Sequence, residues 1–247
     1  MMNALQKAQN ALRRRLPERA FSPRAVTGRA PRSRLGGLAA GAFAAATMLS
    51  AAAGAGAVDL SGMAPPLFGA PGMPSTDLSP FTKWTHVLSA HDAERARMHQ
   101  ECAPGDSCKL QQWGVFIESL RGLDRWSQIV EVNRRMNSAR YIEDIDNYGV
   151  TDYWATPGEF FDRSGDCEDY AIAKFMTLRQ LGFSNEEMRI AIVHDTNLNL
   201  VHAVLVIYHE GVAYLLDNQI EQVVRVDSIR HYRPYYSVNE TMWWRHS

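Results

Sequence analysis

The sequence predicts an α+β fold, with N-terminal helices packed on an antiparallel β-sheet, and three observations carry that reading. Apolar residues recur at helical spacing from about Phe81 to Leu181. Past Gly182 the period changes from 3.6 to 2. The segments also come as helices first and strands after, without the strand–helix alternation that builds a parallel sheet.

The first 57 residues stand apart. They hold nine of the 26 Lys and Arg (Lys7, Arg13, Arg14, Arg15, Arg19, Arg24, Arg29, Arg32, Arg34) and one of the 27 acids, Glu18. An uncharged Ala/Gly/Leu run follows from Leu35 to Leu49, then the small-residue site Ala55-Gly56-Ala57. Basic region, apolar region and small-residue site in that order read as a secretory signal peptide, with an apolar run too short for a membrane span. Removing residues 1–57 leaves 17 basic side chains against 26 acidic ones, a formal charge of −9. So acidic a chain, with no basic stripe interleaved with aromatics, argues against nucleic acid as a partner.

Residues 58–80 are rich in Pro, Gly and Ser and read as a linker, so the folded domain is expected at 81–247. Phe81 to Gln100 is a helix with Trp84, Val87, Leu88 and, at its margin, His91 on one side. His86, His91 and His99 along it read as solvated histidines rather than a metal site. Cys102 and Cys108 bracket Ala-Pro-Gly-Asp-Ser, a turn that brings two sulfurs together. In an exported chain these are expected to form a disulfide, which leaves Cys167 as the odd thiol.

Leu110 to Asn137 is helical, breaking near Gly122, with Trp113, Phe116, Ile117, Leu120, Leu123, Ile129 and Val132 marking the buried side. Tyr141 to Tyr153, dense in Asp, Glu and Asn, reads as a surface loop. Thr156 is an N-cap, Pro157 the first helical residue and Glu159 the close of a capping box. Ser164-Gly165 ends that short helix. After Cys167 a longer helix shows one apolar face through Ala171, Ile172, Phe175, Met176 or Leu178, and Leu181, and stops at Gly182. Strands are expected at Arg189–His194, Leu200–Tyr208, Val212–Asp217 and Gln222–Val226, inside a sheet covered by the helices. The aromatic tail, His231 to Trp244, reads as irregular structure packing back on the domain.

Cys167 thus sits at a helix N-terminus, where the helix dipole and free N–H groups favour a thiolate and can hold an oxyanion. A thiol nucleophile needs a base, and the base needs a group to hold its ring. His202 lies in an apolar strand and shares a face with Val204, Val206 and Tyr208. If Glu210-Gly211 is a two-residue turn, residue 202 lies opposite residue 219 and Asp217 is its diagonal neighbour on the same face. Cys167, His202 and Asp217 together are the arrangement a thiol nucleophile requires. Which donor besides the Cys167 N–H holds the oxyanion is not identified by the sequence; Trp154 is a candidate. Asp166, Glu168 and Asp169 crowd charge around the thiol, and Asp144, Asp146, Asn147 and Asp152 supply oxygens from the acidic loop.

The stretch Gly165-Asp166-Cys167-Glu168-Asp169-Tyr170-Ala171-Ile172-Ala173-Lys174 carries a resemblance. With Asp152-Tyr153-Trp154-Ala155-Thr156-Pro157 before it and His202-Ala203-Val204-Leu205 and Leu216-Asp217-Asn218 after it, the chain resembles the bacterial transglutaminase-like cysteine proteinases over about residues 81–245. The resemblance implies a papain/transglutaminase-like fold in which Cys167 attacks a peptide carbonyl, His202 is its base and Asp217 orients the ring. It also implies a calcium-dependent periplasmic protease that cuts a large surface adhesin near its N-terminus, at a pair of alanines, and so releases cells from a biofilm. An inner-membrane receptor that senses cyclic di-GMP is the implied partner that sequesters it. The resemblance carries calcium onto Asp166 and Glu168; Asp152 and Asp169 join them by proximity alone. Two rival readings use the same residues, an acyltransferase that passes the acyl group to an amine and a non-catalytic binding module. A zinc site from Cys167, His194 and His202 lacks any close ligand pair.

Overall fold

The change of period at Gly182 is where helix gives way to sheet. The computed structural model describes residues 65–247 apart from 104 and 106, so the expected signal peptide lies outside the described residues. Strand β1 (Gly72–Ser75) comes first. Helices α1 (Thr82–Met98), α2 (Lys109–Leu120), α3 (Arg125–Asn137), α4 (Asp144–Asn147), α5 (Pro157–Arg163) and α6 (Cys167–Gln180) follow. Strands β2 (Met188–Asp195), β3 (Leu200–His209), β4 (Val212–Leu216), β5 (Val224–Arg225), β6 (Tyr232–Val238) and β7 (Trp243–His246) complete the chain. Among the described residues the strands form one antiparallel sheet in the order β1-β7-β6-β2-β3-β4-β5, and the α+β expectation holds.

Local chemistry sets the helix ends. The break near Gly122 separates α2 from α3, and α3 restarts on Asp124, whose Oδ1 accepts the Ser127 N–H at 3.0 Å. Leu123, expected on the buried side, falls in this break and is 42% exposed. Gly182, at φ +92°, ends α6 in a Schellman motif: the Phe183 N–H bonds the Leu178 carbonyl and the Gly182 N–H that of Arg179.

Helix α6 is the axis of the domain. The sequence suggests one apolar face, but every residue from Asp169 to Leu178 is buried, Lys174 included. It packs on β3 and β2 on one side and on α3 and α5 on others. Trp113 of α2 anchors to it, its Nε1–H donating to Thr177 Oγ1 at 2.9 Å. Burial of side chains such as Ile172, Phe175 and Leu178 contributes roughly 1.5–3 kcal/mol each, enough to offset the presence of polar groups inside.

Five further expectations change. The helices cover only one face of the sheet, that of Ile190, Ile192, Ala203, Leu205, Ile207 and Leu216. The other face, with Ala191, Val193, Val204, Val206 and Leu215, packs under Leu67, Val226 and Tyr232. Residues 58–80 are therefore not a linker throughout: Leu67 is fully buried and Gly72–Ser75 pairs with β7 as an edge strand. Gly72 suits that place because a Cβ would lie 3.1 Å from both Trp244 Cβ and the His246 ring. The tail is not irregular but forms β6 and β7. Lastly, the acidic loop is not wholly a surface feature, since it contains α4 with Asp144 only 2% exposed. His91, read as solvated, is buried against Trp113, at 5.7 Å between ring centroids, whereas His86 and His99 are exposed.

Candidate active site

The segment leading to Cys167 is fixed from both sides. Thr156 caps α5 with Pro157 behind it and the expected Glu159 capping box. Ser164 turns the chain at φ +66°, and the Gly165 carbonyl then accepts the Ile142 N–H at 2.9 Å. Asp169, fully buried one turn into α6, clamps the entry to the helix: Oδ1 accepts the Ala155 N–H at 2.7 Å and Oδ2 the Asp166 N–H at 3.2 Å. Gly165 makes room for this clamp. A Cβ there would stand 2.7 Å from Asp169 Cγ and closer still to Oδ2, in a place where the carboxylate is pinned and cannot swing aside. Gly165→Ala is therefore expected to destabilise the domain by about 2–3 kcal/mol, read as a lower denaturant midpoint with an unchanged slope.

Cys167 is the first residue of α6 and the free cysteine among the three; Cys102 and Cys108 form the expected disulfide, with Cα atoms 5.4 Å apart. Its Sγ donates to Glu168 Oε2 at 3.2 Å, and the Ala203 N–H lies beside the sulfur. The thiol is thus set against β3 at the residue after His202. His202, 2% exposed, meets Asp217, fully buried, with Nε2 to Oδ1 at 2.9 Å. The register follows the expected hairpin. His209 pairs with Val212 and Leu205 with Leu216, while Glu210 and Gly211 both take positive φ, as a type I′ turn demands.

Asp217 is more heavily engaged than the sequence suggests. Besides His202 it accepts the Tyr232 hydroxyl at 2.6 Å and the Gln219 N–H at 2.8 Å. Burial alone would raise its carboxyl, but the His202 ring and the hydrogen bonds from His202, Tyr232 and Gln219 outweigh burial and hold it at about 2. Tyr232 went unread because β6 itself did. Lys174, fully buried in α6, adds a positive field at Asp217, and the only advance signal was its place seven residues after Cys167.

Around the thiol the charges are negative. Oxygens of Asp144, Asp166 and Asp169 come within 4.8 Å of one another, as do those of Asp144, Asp152 and Glu168, and ligand atoms of Asp166, Cys167 and Glu168. Burial first and Glu168 second lift Asp166 to about 9, and burial lifts Glu168 to about 7. Burial, then Glu168 and Asp166, push the Cys167 thiol well above its ordinary value, so the helix N-terminus alone does not make it a thiolate here. Asp152 is largely exposed and ion-paired with Lys83. His194 stands away from this cluster, against Tyr235 at 6.2 Å, and the groups of ligand atoms among the described residues include neither it nor His202. Trp154 packs into the core edge-on to Trp84.

A cysteine at the head of a buried helix, laid across an antiparallel sheet with a histidine on one strand and its aspartate partner just past the end of the next, is the papain-like arrangement. The chain belongs to the bacterial transglutaminase-like cysteine proteinases (BTLCP), whose family model matches residues 91–245. Among solved structures it is similar to LapG of Legionella pneumophila in its calcium-bound form, at 29% identity and a TM-score of 0.53, over 64% of this chain and 87% of that one. The EGTA-treated form of the same protein matches at 29% identity and a TM-score of 0.53, over 65% and 86%. A search of curated protein sequences returns no match.

Proposed function

We propose that the chain is a calcium-dependent cysteine endopeptidase in which Cys167 is the nucleophile, His202 the general base and Asp217 the residue that orients the base. The observation that carries this reading is the set of three positions: a free thiol at the first residue of α6, the Ala203 N–H beside its sulfur, and the adjacent His202 bound to a buried, ionised Asp217. Asp217 fixes Nε2 of the ring, which leaves Nδ1 to take the thiol proton. The thiolate adds to the peptide carbonyl, and the N–H groups at the start of α6 hold the developing oxyanion. The imidazolium then gives its proton to the departing amine, and water, deprotonated by the same ring, releases the acyl group.

The acidic cluster fits a hard cation. Asp144 Oδ1 and Asp166 Oδ1 are buried without a hydrogen-bond partner, and the donors are mainly carboxylate oxygens, the ligands calcium takes. Asp166 and Glu168 would hold the ion with help from Asp144 and Asp152. Asp169, with both oxygens already accepting N–H groups, contributes at most through its charge. Bound calcium supplies positive charge that cancels the field of these carboxylates at the thiol. The calcium-bound form of the similar LapG supports the assignment.

The substrate we assign is the N-terminal region of a large surface adhesin, cut near a pair of alanines, with release of the adhesin promoting biofilm dispersal. The chain would act in the periplasm after export through residues 1–57, where an inner-membrane cyclic di-GMP receptor sequesters it. Support for this physiology is the family membership together with the signal-like segment. Incubation of the mature chain with an adhesin N-terminal fragment is expected to give one cut at the alanine pair with calcium and none with chelator. Failure to cut such fragments would remove the substrate assignment, and transfer to an added amine in preference to water would favour the acyltransferase.

A further inference from the structure

Tyr232 takes no part in the steps above, yet it touches the residue that orients the base. It opens β6, is 1% exposed, and its hydroxyl donates to Asp217 Oδ2 at 2.6 Å. The other carboxylate oxygen, Oδ1, meets both His202 Nε2 at 2.9 Å and the Gln219 N–H at 2.8 Å. Among the described residues Oδ2 receives no other hydrogen bond, so the phenol alone holds that side of the carboxylate. This matters because the terminal torsion of an aspartate is broad, and with only Oδ1 held the group can pivot about it. Two anchored oxygens fix its plane.

The ring is itself held. In the sheet order β6-β2-β3-β4 the phenol reaches from β6 to a residue just past β4, over the face that the helices leave bare. It belongs there to the same apolar cluster as Leu67, Val193 and Val204. Phe68 meets it edge-on, with ring centroids 5.6 Å apart and planes at 82°, and the His202 ring lies 5.8 Å away. Burial first and the Asp217 carboxylate second raise the phenol above its ordinary value, so it stays a donor throughout the range in which a histidine works. A phenylalanine would fill the same space without touching Asp217. We propose that Tyr232 is a positioning residue, resting on the triad reading above: its hydroxyl locks the plane of the Asp217 carboxylate, so that Oδ1 holds the His202 proton on Nε2 and Nδ1 stays free to accept the thiol proton. Without that lock the carboxylate turns, Oδ1 leaves the line of Nε2, and the proton is shared between the two ring nitrogens. A ring with its proton on Nδ1 cannot take one from Cys167.

The test is Tyr232→Phe, which keeps the ring and its packing and removes only the hydroxyl, in the full mature chain saturated with calcium. On a peptide containing an alanine pair, kcat is expected to fall about tenfold to a hundredfold, the worth of one hydrogen bond to a charged group, with KM unchanged. Wild-type kcat, or a loss confined to KM, overturns the proposal. Nitrogen-15 spectra of His202 in the Cys167→Ala chain give a second reading that needs no turnover. Above the titration of the ring, its proton should sit on Nε2 while Tyr232 is present and spread onto Nδ1 when Tyr232→Phe is added. An Nε2–H tautomer as complete with Phe as with Tyr also overturns it. If Cys167→Ala cleaves as the wild type does, the protease reading itself fails. If that variant is inert while Tyr232→Phe keeps the wild-type kcat, only the present inference fails.

Discussion

Cys167→Ala is expected to lower cleavage by about five to six orders of magnitude while leaving the fold intact. The fold should survive because the side chain is small and its sulfur meets only Glu168 and the Ala203 N–H, whereas the segment is held by the Ile142 N–H bond to the Gly165 carbonyl and by the Asp169 clamp. His202→Ala should cost a similar factor, and Asp217→Ala about four orders, since the ring then loses its orienting partner but remains a base. Combining the three should add little to the loss from Cys167→Ala alone, because the residues act as a unit. The measurements are kcat/KM on an alanine-pair peptide and the melting temperature of each variant. Near-normal cleavage by Cys167→Ala would sink the enzyme reading. An inert Asp217→Ala that is also unfolded would show that the buried pair with His202 is needed first for stability.

The parts of the site that could be read in advance are those fixed by local rules. A capping box, a proline at the first helical position and a glycine stop define α5 and α6, and so put Cys167 at a helix start. A two-residue turn at Glu210-Gly211 fixes the register between β3 and β4, and with it the approach of His202 to Asp217. What could not be read depends on distant packing. Strand β6 contains Pro234, which lacks the N–H a central strand needs, so the tail looks irregular. The structure tolerates it through a bulge: the register shifts between Ile192 and Val193, leaving Tyr235 as the extra, outward residue. With β6 unread, Tyr232 could not be placed on Asp217. Strand β1 carries no alternation at all and exists because the β7 edge accepts it. Lys174 looks like a solvated helix lysine until α6 is seen to be covered on every side.

Removal of calcium is expected to abolish activity, and the reason lies in the same carboxylates that would bind it. Without a cation, burial first and neighbouring carboxylates second leave Glu168 at about 7 and Asp166 at about 9, and burial, then Glu168 and Asp166, raises the Cys167 thiol. Calcium needs these groups ionised, so binding releases protons, and affinity should rise with pH from about 6 to 9 and fall below that range. The sign for stability is opposite in the metal-free chain. Both carboxyls are raised on folding, so the folded state holds more protons than the unfolded one between about pH 4 and 9, and stability falls as pH rises through that window. The metal-free chain should therefore melt lower at pH 8 than at pH 5, and calcium should restore the difference. Asp166→Ala and Glu168→Ala should each weaken calcium by about tenfold to a hundredfold, with Asp152→Ala weaker in effect because its side chain is exposed and already paired with Lys83. Calorimetric titration at pH 6, 7 and 8, with activity in excess chelator alongside, makes the comparison. Full activity in chelator, or wild-type affinity in both the Asp166→Ala and Glu168→Ala chains, would remove calcium from the mechanism.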